Sequence, residues 1–304
     1  MPAFSLYLHI PYCQAKCPYC DFNSYATPGW PEADYVGALA AEIRHYARQP
    51  PWAGGTIQTV FFGGGTPSLF SPASLASVLD ETRRQWPVAA DAEITIEANP
   101  GTVSLPTLCG FRSAGITRLS LGVQSFADHH LRRLGRIHDA AEAETAVAQA
   151  RQAGFDNVSI DMIFALPDQT TAEWDADLAR AVQLGTDHIS AYNLTYEEGT
   201  AFHEWRARRL LMPVGEDTEL AMFTIARTRL VEAGFVPYEI SNYARPGRVC
   251  RHNLTYWYGA PYLGVGAGAH SYTGLGGDAP WGRRWHNTKS PTGYLDGFTV
   301  KHSM

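Results

Sequence analysis

Short apolar runs alternate with helical periodicity through the first two thirds of the chain. Ser5-Leu-Tyr-Leu-His-Ile10 reads as a strand. Over Ala33 to Tyr46, Val36, Leu39, Ala40 and Ile43 recur at the spacing of one helical face. Thr59-Val-Phe-Phe62 reads as a buried strand stopped by Gly63-Gly64-Gly65. Pro72 to Gln85 follows as a helix, with Ser71 as its N-cap and Pro72 at its first position. Glu93-Ile-Thr-Ile-Glu97 alternates as a half-buried strand does. Helix over Pro106 to Ala114, strand over Arg118 to Gly122, and helices near Asp128 to Leu134 and Ala140 to Ala153 come next. A strand over Asn157 to Phe164, a helix over Ala172 to Leu184 and a strand over His188 to Asn193 complete the series.

Three joints repeat one device. Gly115, Gly154 and Gly185 each stand after a helix and before a strand. Glycine enters the left-handed conformation that closes a helix, so these positions read as C-terminal stops. About six β/α units result, which calls for a parallel sheet covered by helices. Right-handed crossovers curl such a sheet toward a barrel, and six units predict an α/β fold with an open, partial (β/α)6 barrel over residues 1–199. Ligands of such sheets sit at the carboxyl ends of the strands. Alternation weakens after Asn193. A helix near Thr218 to Ala233 ends at Gly234, and a Gly- and aromatic-rich stretch runs from Tyr238 to Trp285. Residues 200–304 are therefore expected to form a smaller C-terminal α+β module.

Composition narrows the function classes. Of the 304 residues, 45% are hydrophobic and 18% charged, so the chain can bury a sizeable core. Net charge is −6, the wrong sign for affinity built on phosphate neutralisation, and nucleic acid is not the expected partner. No run approaches the ~18 apolar residues of a membrane span. Met1 to Ile10 lacks the basic leader and small-residue cleavage site of a secretory signal. Transient membrane association and a homodimer are left open.

Five cysteines are an odd count for a disulfide framework, and a reducing cytoplasm with a metal or redox role fits better. Cys13-Gln-Ala-Lys-Cys17-Pro-Tyr-Cys20 lies just past the first strand. Three thiolates on one loop can converge on one centre. A [4Fe–4S] cluster held by three of them would keep one iron open to an exogenous ligand. A zinc site completed by His9 or a distant residue, or a dithiol, are the alternatives.

Other polar groups fall at the same rim. Gly63-Gly64-Gly65-Thr66-Pro67 permits close approach of a ligand to the main chain, and lacks the Lys-Ser/Thr of a P-loop. Glu97 ends the third strand, Gln124 follows the fourth and Asp161 lies within the fifth; these suit ribose hydroxyls and an amino group. Arg136 could pair with a carboxylate. Taken singly, each is explained as well by a structural hydrogen bond or a surface pair.

The C-x3-C-x2-C spacing at this place resembles that of the radical S-adenosylmethionine (SAM) superfamily. In particular, Leu6-Tyr-Leu-His-Ile-Pro-Tyr-Cys13, Phe61-Phe-Gly-Gly-Gly-Thr-Pro67, Ile96-Glu-Ala-Asn-Pro100, Leu121-Gly-Val-Gln-Ser-Phe126, Asp161-Met-Ile-Phe-Ala-Leu-Pro167 and Leu263-Gly-Val-Gly-Ala267 are similar to the oxygen-independent coproporphyrinogen oxidase group. The likeness covers nearly the whole chain. It implies a [4Fe–4S] cluster on Cys13, Cys17 and Cys20, with SAM on the open iron. It also implies SAM binding by Tyr7, Gly64, Gly65, Thr66, Glu97, Gln124, Arg136 and Asp161.

The group contains oxidases that decarboxylate porphyrinogen propionates and chaperones that bind and deliver haem. The oxidases carry a further cysteine where this chain has Phe22, and a long N-terminal extension where only six residues precede Tyr7. Cys250-Arg-His252-Asn253-Leu-Thr-Tyr256-Trp257 matches the His-Asn-x-x-Tyr motif of the haem chaperones. The resemblance therefore implies a haem chaperone, with haem and haem-acceptor proteins as partners and His252 as the candidate haem contact. A neutral imidazole is a common axial donor to haem iron, and Tyr256, Trp257, Tyr258 and Tyr262 could lie on the macrocycle; a structural histidine in an aromatic core is the plainer reading of the residues alone. Cys250 is an alternative thiolate ligand, though an unreactive buried cysteine is the plainer reading, and Cys109 in its helix is expected to be core. Cleavage of SAM is left open by these motifs. The haem chaperones usually continue beyond the point where this chain ends at Lys301-His-Ser-Met304, so the C-terminal module is expected to be incomplete.

Overall fold

The computed structural model describes residues 3–275, 279–297 and 300–302. Strand β1 (Ala3–Ile10) leads into a cysteine loop carrying two short paired strands, β2 (Tyr12–Cys13) and β3 (Tyr25–Ala26). Then follow α1 (Glu32–Tyr46), β4 (Thr56–Gly64), α2 (Pro72–Gln85), β5 (Val88–Ala98), α3 (Leu105–Ala114) and β6 (Arg118–Gln124). After these come α4 (Asp128–Arg133), α5 (Ala140–Gln152), β7 (Val158–Phe164), α6 (Thr171–Gln183) and β8 (His188–Asn193). The expected elements are present, with ends moved by a few residues. Gly115, Gly154 and Gly185 adopt φ of 100°, 88° and 66°, the left-handed values that stop α3, α5 and α6. Capping boxes start the same helices: Ser104 with Thr107, Asp139 with Glu142, and Thr170 with Glu173.

β1, β4, β5, β6, β7 and β8 pair in that order, all parallel, as six β/α units require. Beyond β8 lie α7 (Ala201–Ala207), α8 (Glu216–Glu232), β9 (Val236–Pro237), β10 (Asn242–Ala244), α9 (Arg251–Trp257), β11 (Tyr262–Val265), β12 (His270–Tyr272), β13 (Arg284–Asn287), α10 (Pro291–Leu295) and β14 (Val300–His302). The expected boundary at 199/200 falls in the loop between β8 and α7, and strands from beyond it join the same sheet at both edges. β11 adds in parallel to β1 and is continued antiparallel by β12, β13 and β14; β10 and β9 add antiparallel to β8. One sheet of 12 strands results. No helix among the described residues is long and apolar enough to cross a membrane.

Successive residues of a strand face opposite sides of the sheet, and here the sides differ in chemistry. The side under the helices is apolar and buried: Leu6 and Leu8, Val60 and Phe62, Ile94 and Ile96, Leu119 and Leu121, Val158 and Ile160, Ile189. In register on the other side stand Tyr7 with Phe61, Thr95 and Arg118; Glu97 with Ser120, Ser159 and His188; and Gly122 with Asp161 and Ser190. The concave interior of the partial barrel is thus polar. Burying polar groups is costly unless they are paired, and Ser159 with His188 (2.8 Å) and Asp161 with Ser190 (2.6 Å) supply partners.

The core face of α1 is rotated from the apolar stripe in the sequence. Tyr35, Leu39, Glu42, Ile43 and Tyr46 are buried, and Val36 only partly. Glu42 accepts from the Gly266 amide (2.9 Å), Asn287 Nδ2 (2.6 Å) and Tyr294 Oη (2.7 Å), so α1 binds the C-terminal region through a carboxylate. Cys109 corrects an expectation: it is exposed, because α3 turns Leu108 and Phe111 inward and leaves Cys109 on the outer side. Cys250 is buried as expected, and burial pushes its thiol up to about 12.

Candidate functional site

The cysteine loop leaves β1 at its carboxyl end and is held there by the glycine run of β4. Gly65 N–H donates to the Ile10 carbonyl and Thr66 N–H to the Tyr12 carbonyl, both at 2.8 Å. A Cβ on Gly65 would stand 2.6 Å from the Tyr12 carbonyl oxygen, and one on Gly64 would stand 2.6 Å from the His9 ring. Glycine is required at Gly65 because two backbones meet, and at Gly64 because φ is 116° and the His9 ring packs against it. The Gly64 N–H donates to Glu97 Oε2 at 3.3 Å. These three amides are used inside the protein.

Cys13 is buried, Cys17 and Cys20 are half-buried, and none is in a disulfide. Each sulfur has a polar neighbour. Thr66 Oγ1 donates to Cys13 Sγ at 3.5 Å, Arg136 Nη1 to Cys17 Sγ at 3.4 Å, and Ser24 Oγ lies 3.9 Å from Cys20 Sγ. Such donors favour thiolates; burial acts against them and raises the pKa of Cys13 and Cys20. His9 does not complete a zinc site here. Its Nε2 bonds the Asn23 carbonyl at 2.8 Å and its Nδ1 bonds Tyr7 Oη at 3.0 Å.

The remaining rim residues converge from successive strands. A bulge in β6 pairs Gly122 with Asp161 and Gln124 with Met162, leaving Val123 extra. Gln124 takes φ of 72°, a conformation that costs a non-glycine residue about 1–3 kcal/mol and persists where the surroundings demand it. Its amide folds back over Gly122, where an added Cβ would lie 2.9 Å from Gln124 Nε2 and 3.3 Å from Arg136 Nη2. Arg136 Nη2 donates to the Gly122 carbonyl at 2.7 Å, while its Nε is buried without a partner. Asp161 accepts from Ser190 and, at 3.2 Å, from Ser120. Burial and the neighbouring Asp161 carboxylate push Glu97 up to about 8. Two buried carboxyls, with Arg118 and Arg136 as their nearby cations, beside a guanidinium Nε without a partner, suit a ligand with an ammonium and a carboxylate of its own. Ser120, Ser190 and Ser24 escaped sequence reasoning; inward parity within β6 and β8 would have found the first two.

His252 lies elsewhere in the interior. Helix α9 enters from the amino-terminal side of the strands, where Glu93 accepts from the amides of Arg251 (3.1 Å) and His252 (3.0 Å), and Ser5 Oγ bonds Thr255 Oγ1 at 2.8 Å. His252 Nδ1 bonds Thr59 Oγ1 at 2.7 Å. Thr59 precedes Gly63 by four residues, about 13 Å of strand. The Tyr7 and Phe61 rings lie in the layer between, at 6.3 and 5.0 Å from the His252 ring. Both imidazole nitrogens are engaged, since Nε2 bonds Tyr256 Oη at 2.9 Å. Burial lowers the His252 pKa to about 3, so the ring is neutral at physiological pH. His252 itself is 1% exposed, whereas Tyr256, Trp257 and Tyr258 are 41%, 52% and 75% exposed.

The profile of the radical SAM superfamily matches residues 7–181, the span from the Tyr7 strand through α6. The chain belongs to the radical SAM superfamily. It is 42% identical over 303 residues to "Heme chaperone HemW" of Escherichia coli K12, covering 98% of this chain and 77% of that protein. It is 43% identical over 304 residues to the HemW of Haemophilus influenzae, with the same coverage. Among solved structures, the coproporphyrinogen III oxidase HemN of Escherichia coli superposes with a TM-score of 0.81 at 27% identity, over 97% of this chain and 68% of that one. Within the radical SAM superfamily the chain therefore falls in the group of HemN and HemW. Radical SAM membership implies a [4Fe–4S] cluster and SAM. Three disulfide-free cysteines on one loop and the unpartnered Arg136 Nε fit such a pair.

Proposed function

We propose that the chain is a haem chaperone that carries a [4Fe–4S] cluster and SAM and passes haem to acceptor proteins in the cytoplasm. Cys13, Cys17 and Cys20 would hold three irons of the cluster, and the amino and carboxylate groups of SAM would take the fourth. Tyr7, Gly64, Gly65, Thr66, Glu97, Gln124, Arg136 and Asp161 would form the SAM pocket. The observation that carries the reading is α9. It sets a neutral His252 one hydrogen bond below the exposed rings of Tyr256, Trp257 and Tyr258. Axial ligation of haem iron by Nε2 requires release of the Tyr256 hydroxyl, while the exposed rings offer surface to the macrocycle. Haem would then dock at the amino-terminal end of the interior, apart from the cysteine loop. The likeness to the HemW proteins supports haem as the cargo.

The test is a haem titration of anaerobically reconstituted protein, with and without SAM, followed by difference absorption. His252→Ala should lose the parent spectrum, and an unchanged spectrum would clear His252 of the role. The fold likeness to HemN favours one second reading, decarboxylation of coproporphyrinogen III. Stable haem binding with no vinyl product under reducing, anaerobic conditions would remove it.

A further inference from the structure

Away from the cysteine loop, α4 faces the first turn of α6. His129 and His130 are neighbours on α4, with ring centroids 4.0 Å apart, and Glu173 is the third residue of α6. Glu173 belongs to the capping box. Its Oε2 accepts from the Thr170 amide and hydroxyl, both at 2.8 Å, which leaves Oε1 directed at His129 Nε2, 3.3 Å away.

His130 is the unusual member. It is 1% exposed, yet neither ring nitrogen has a hydrogen-bond partner. Its Nε2 stands 3.8 Å from Glu173 Oε2, too far for a hydrogen bond. A buried polar atom left unpaired is costly, and this histidine leaves two.

One donor atom from each of the three residues lies within 4.8 Å of the others. Donors bound to a tetrahedral zinc at 2.0–2.1 Å are about 3.3 Å apart. The His129–Glu173 separation already has that length, and the exposed His129 side chain is free to follow a small closure. The charge of nearby Arg133 is drawn off by Asp168 Oδ2 at 2.5 Å and the Pro167 carbonyl at 2.8 Å.

We propose that His129, His130 and Glu173 form a metal site separate from the cysteine loop, for a divalent first-row transition ion of the zinc class, with one position open to water. Two imidazoles and one carboxylate select such an ion over calcium or magnesium, which prefer all-oxygen sites. The ion would clip α4 to α6. Beyond α4 the chain runs through Gly135, where an added Cβ would stand 2.8 Å from Pro18 Cδ of the cysteine loop, to Arg136. Occupancy would therefore steady the segment that brings the guanidinium to Cys17.

The test uses cluster-loaded protein, so that the cysteines are taken, and Zn2+ as the probe. Calorimetric titration should show one Zn2+ per chain in addition to the cluster. Zinc-edge X-ray absorption should show a shell of nitrogen and oxygen at about 2.0–2.1 Å, without the 2.3 Å sulfur distance. His129→Ala, at an exposed position, should melt like the metal-free parent and bind Zn2+ at least about tenfold more weakly; Glu173→Gln should weaken it similarly. No zinc beyond the cluster, sulfur in the shell, or a His129→Ala affinity within tenfold of the parent would each overturn the site.

Discussion

Arg136 reaches Cys17 across 119 residues of sequence, its Nη1 donating to the thiol sulfur at 3.4 Å. The same guanidinium holds the carbonyl of Gly122, at the bulge that re-aims Gln124. One side chain thereby ties the cysteine loop to the carboxyl end of β6. A glycine at 122 is what lets the arginine and the glutamine share that space.

Replacing this cation should retune the iron centre without abolishing it. A hydrogen bond and a positive charge at a cluster thiolate favour the reduced form. Arg136→Gln should therefore assemble iron at close to the parent content while its reduction potential becomes more negative. A redox titration followed by EPR reads the shift, and an unchanged potential would contradict the contact.

The Gly65 position tests the loop's footing. An alanine there would drive its methyl to 2.6 Å from the Tyr12 carbonyl oxygen, a backbone atom that cannot swing aside. Gly65→Ala should destabilise the fold by about 1–3 kcal/mol and lower iron retention, because Cys13 follows Tyr12 directly. Thermal melting together with iron analysis checks both. Parent-like values in each would show that the loop relaxes freely.

Glu42 should give the fold a pH dependence of its own. It is fully buried, and desolvation pushes it up to about 7 from an ordinary value of 4.5, against the pull of three donors. Between those two values the folded state holds a proton that the unfolded state has released. Stability therefore falls as pH rises through that window, by about 3 kcal/mol in all, and is flat in this group above it. Glu42→Gln should start less stable than the parent at pH 5, having lost an acceptor, and the gap should close by pH 8. Melting temperatures across that range would show a constant gap if the carboxyl stays ionised throughout.

The six β/α units were legible because several of their helices carry stop or start signals: Gly115, Gly154 and Gly185 stop α3, α5 and α6, and Ser71 with Pro72 starts α2. β11 was not, since four residues within a glycine-rich stretch have no periodicity of their own and become a strand only by pairing with β1. The rim residues Glu97, Gln124 and Asp161 stood out as polar groups in apolar strands. The rest of the polar interior was masked by Tyr7 and Phe61, which count as hydrophobic yet face inward. Sequence spacing likewise hid the depth of His252. Its motif marks a helix, but only the bond to Thr59 shows which end of the strands that helix enters. The approach of His130 to Glu173 depends on the packing of α4 against α6, which no local pattern encodes.

The distance between His252 and the cysteine loop would keep the proposed haem contact apart from the proposed cluster. Thr59 anchors His252 about 13 Å of strand below the glycine run, and Glu93, not the loop, anchors α9. Cys17→Ser should accordingly lose the cluster yet still bind haem with a near-parent difference spectrum. Tyr256→Phe should act oppositely: the cluster stays intact, and haem binds more tightly because Nε2 no longer has to break a hydrogen bond worth about 0.5–1.5 kcal/mol, a gain of roughly two- to tenfold. Since His252 titrates near pH 3, that gain should persist from pH 5.5 to 7.5. Loss of haem binding in Cys17→Ser would place haem at the cluster end, and weaker binding in Tyr256→Phe would make the tyrosine a contact rather than a latch.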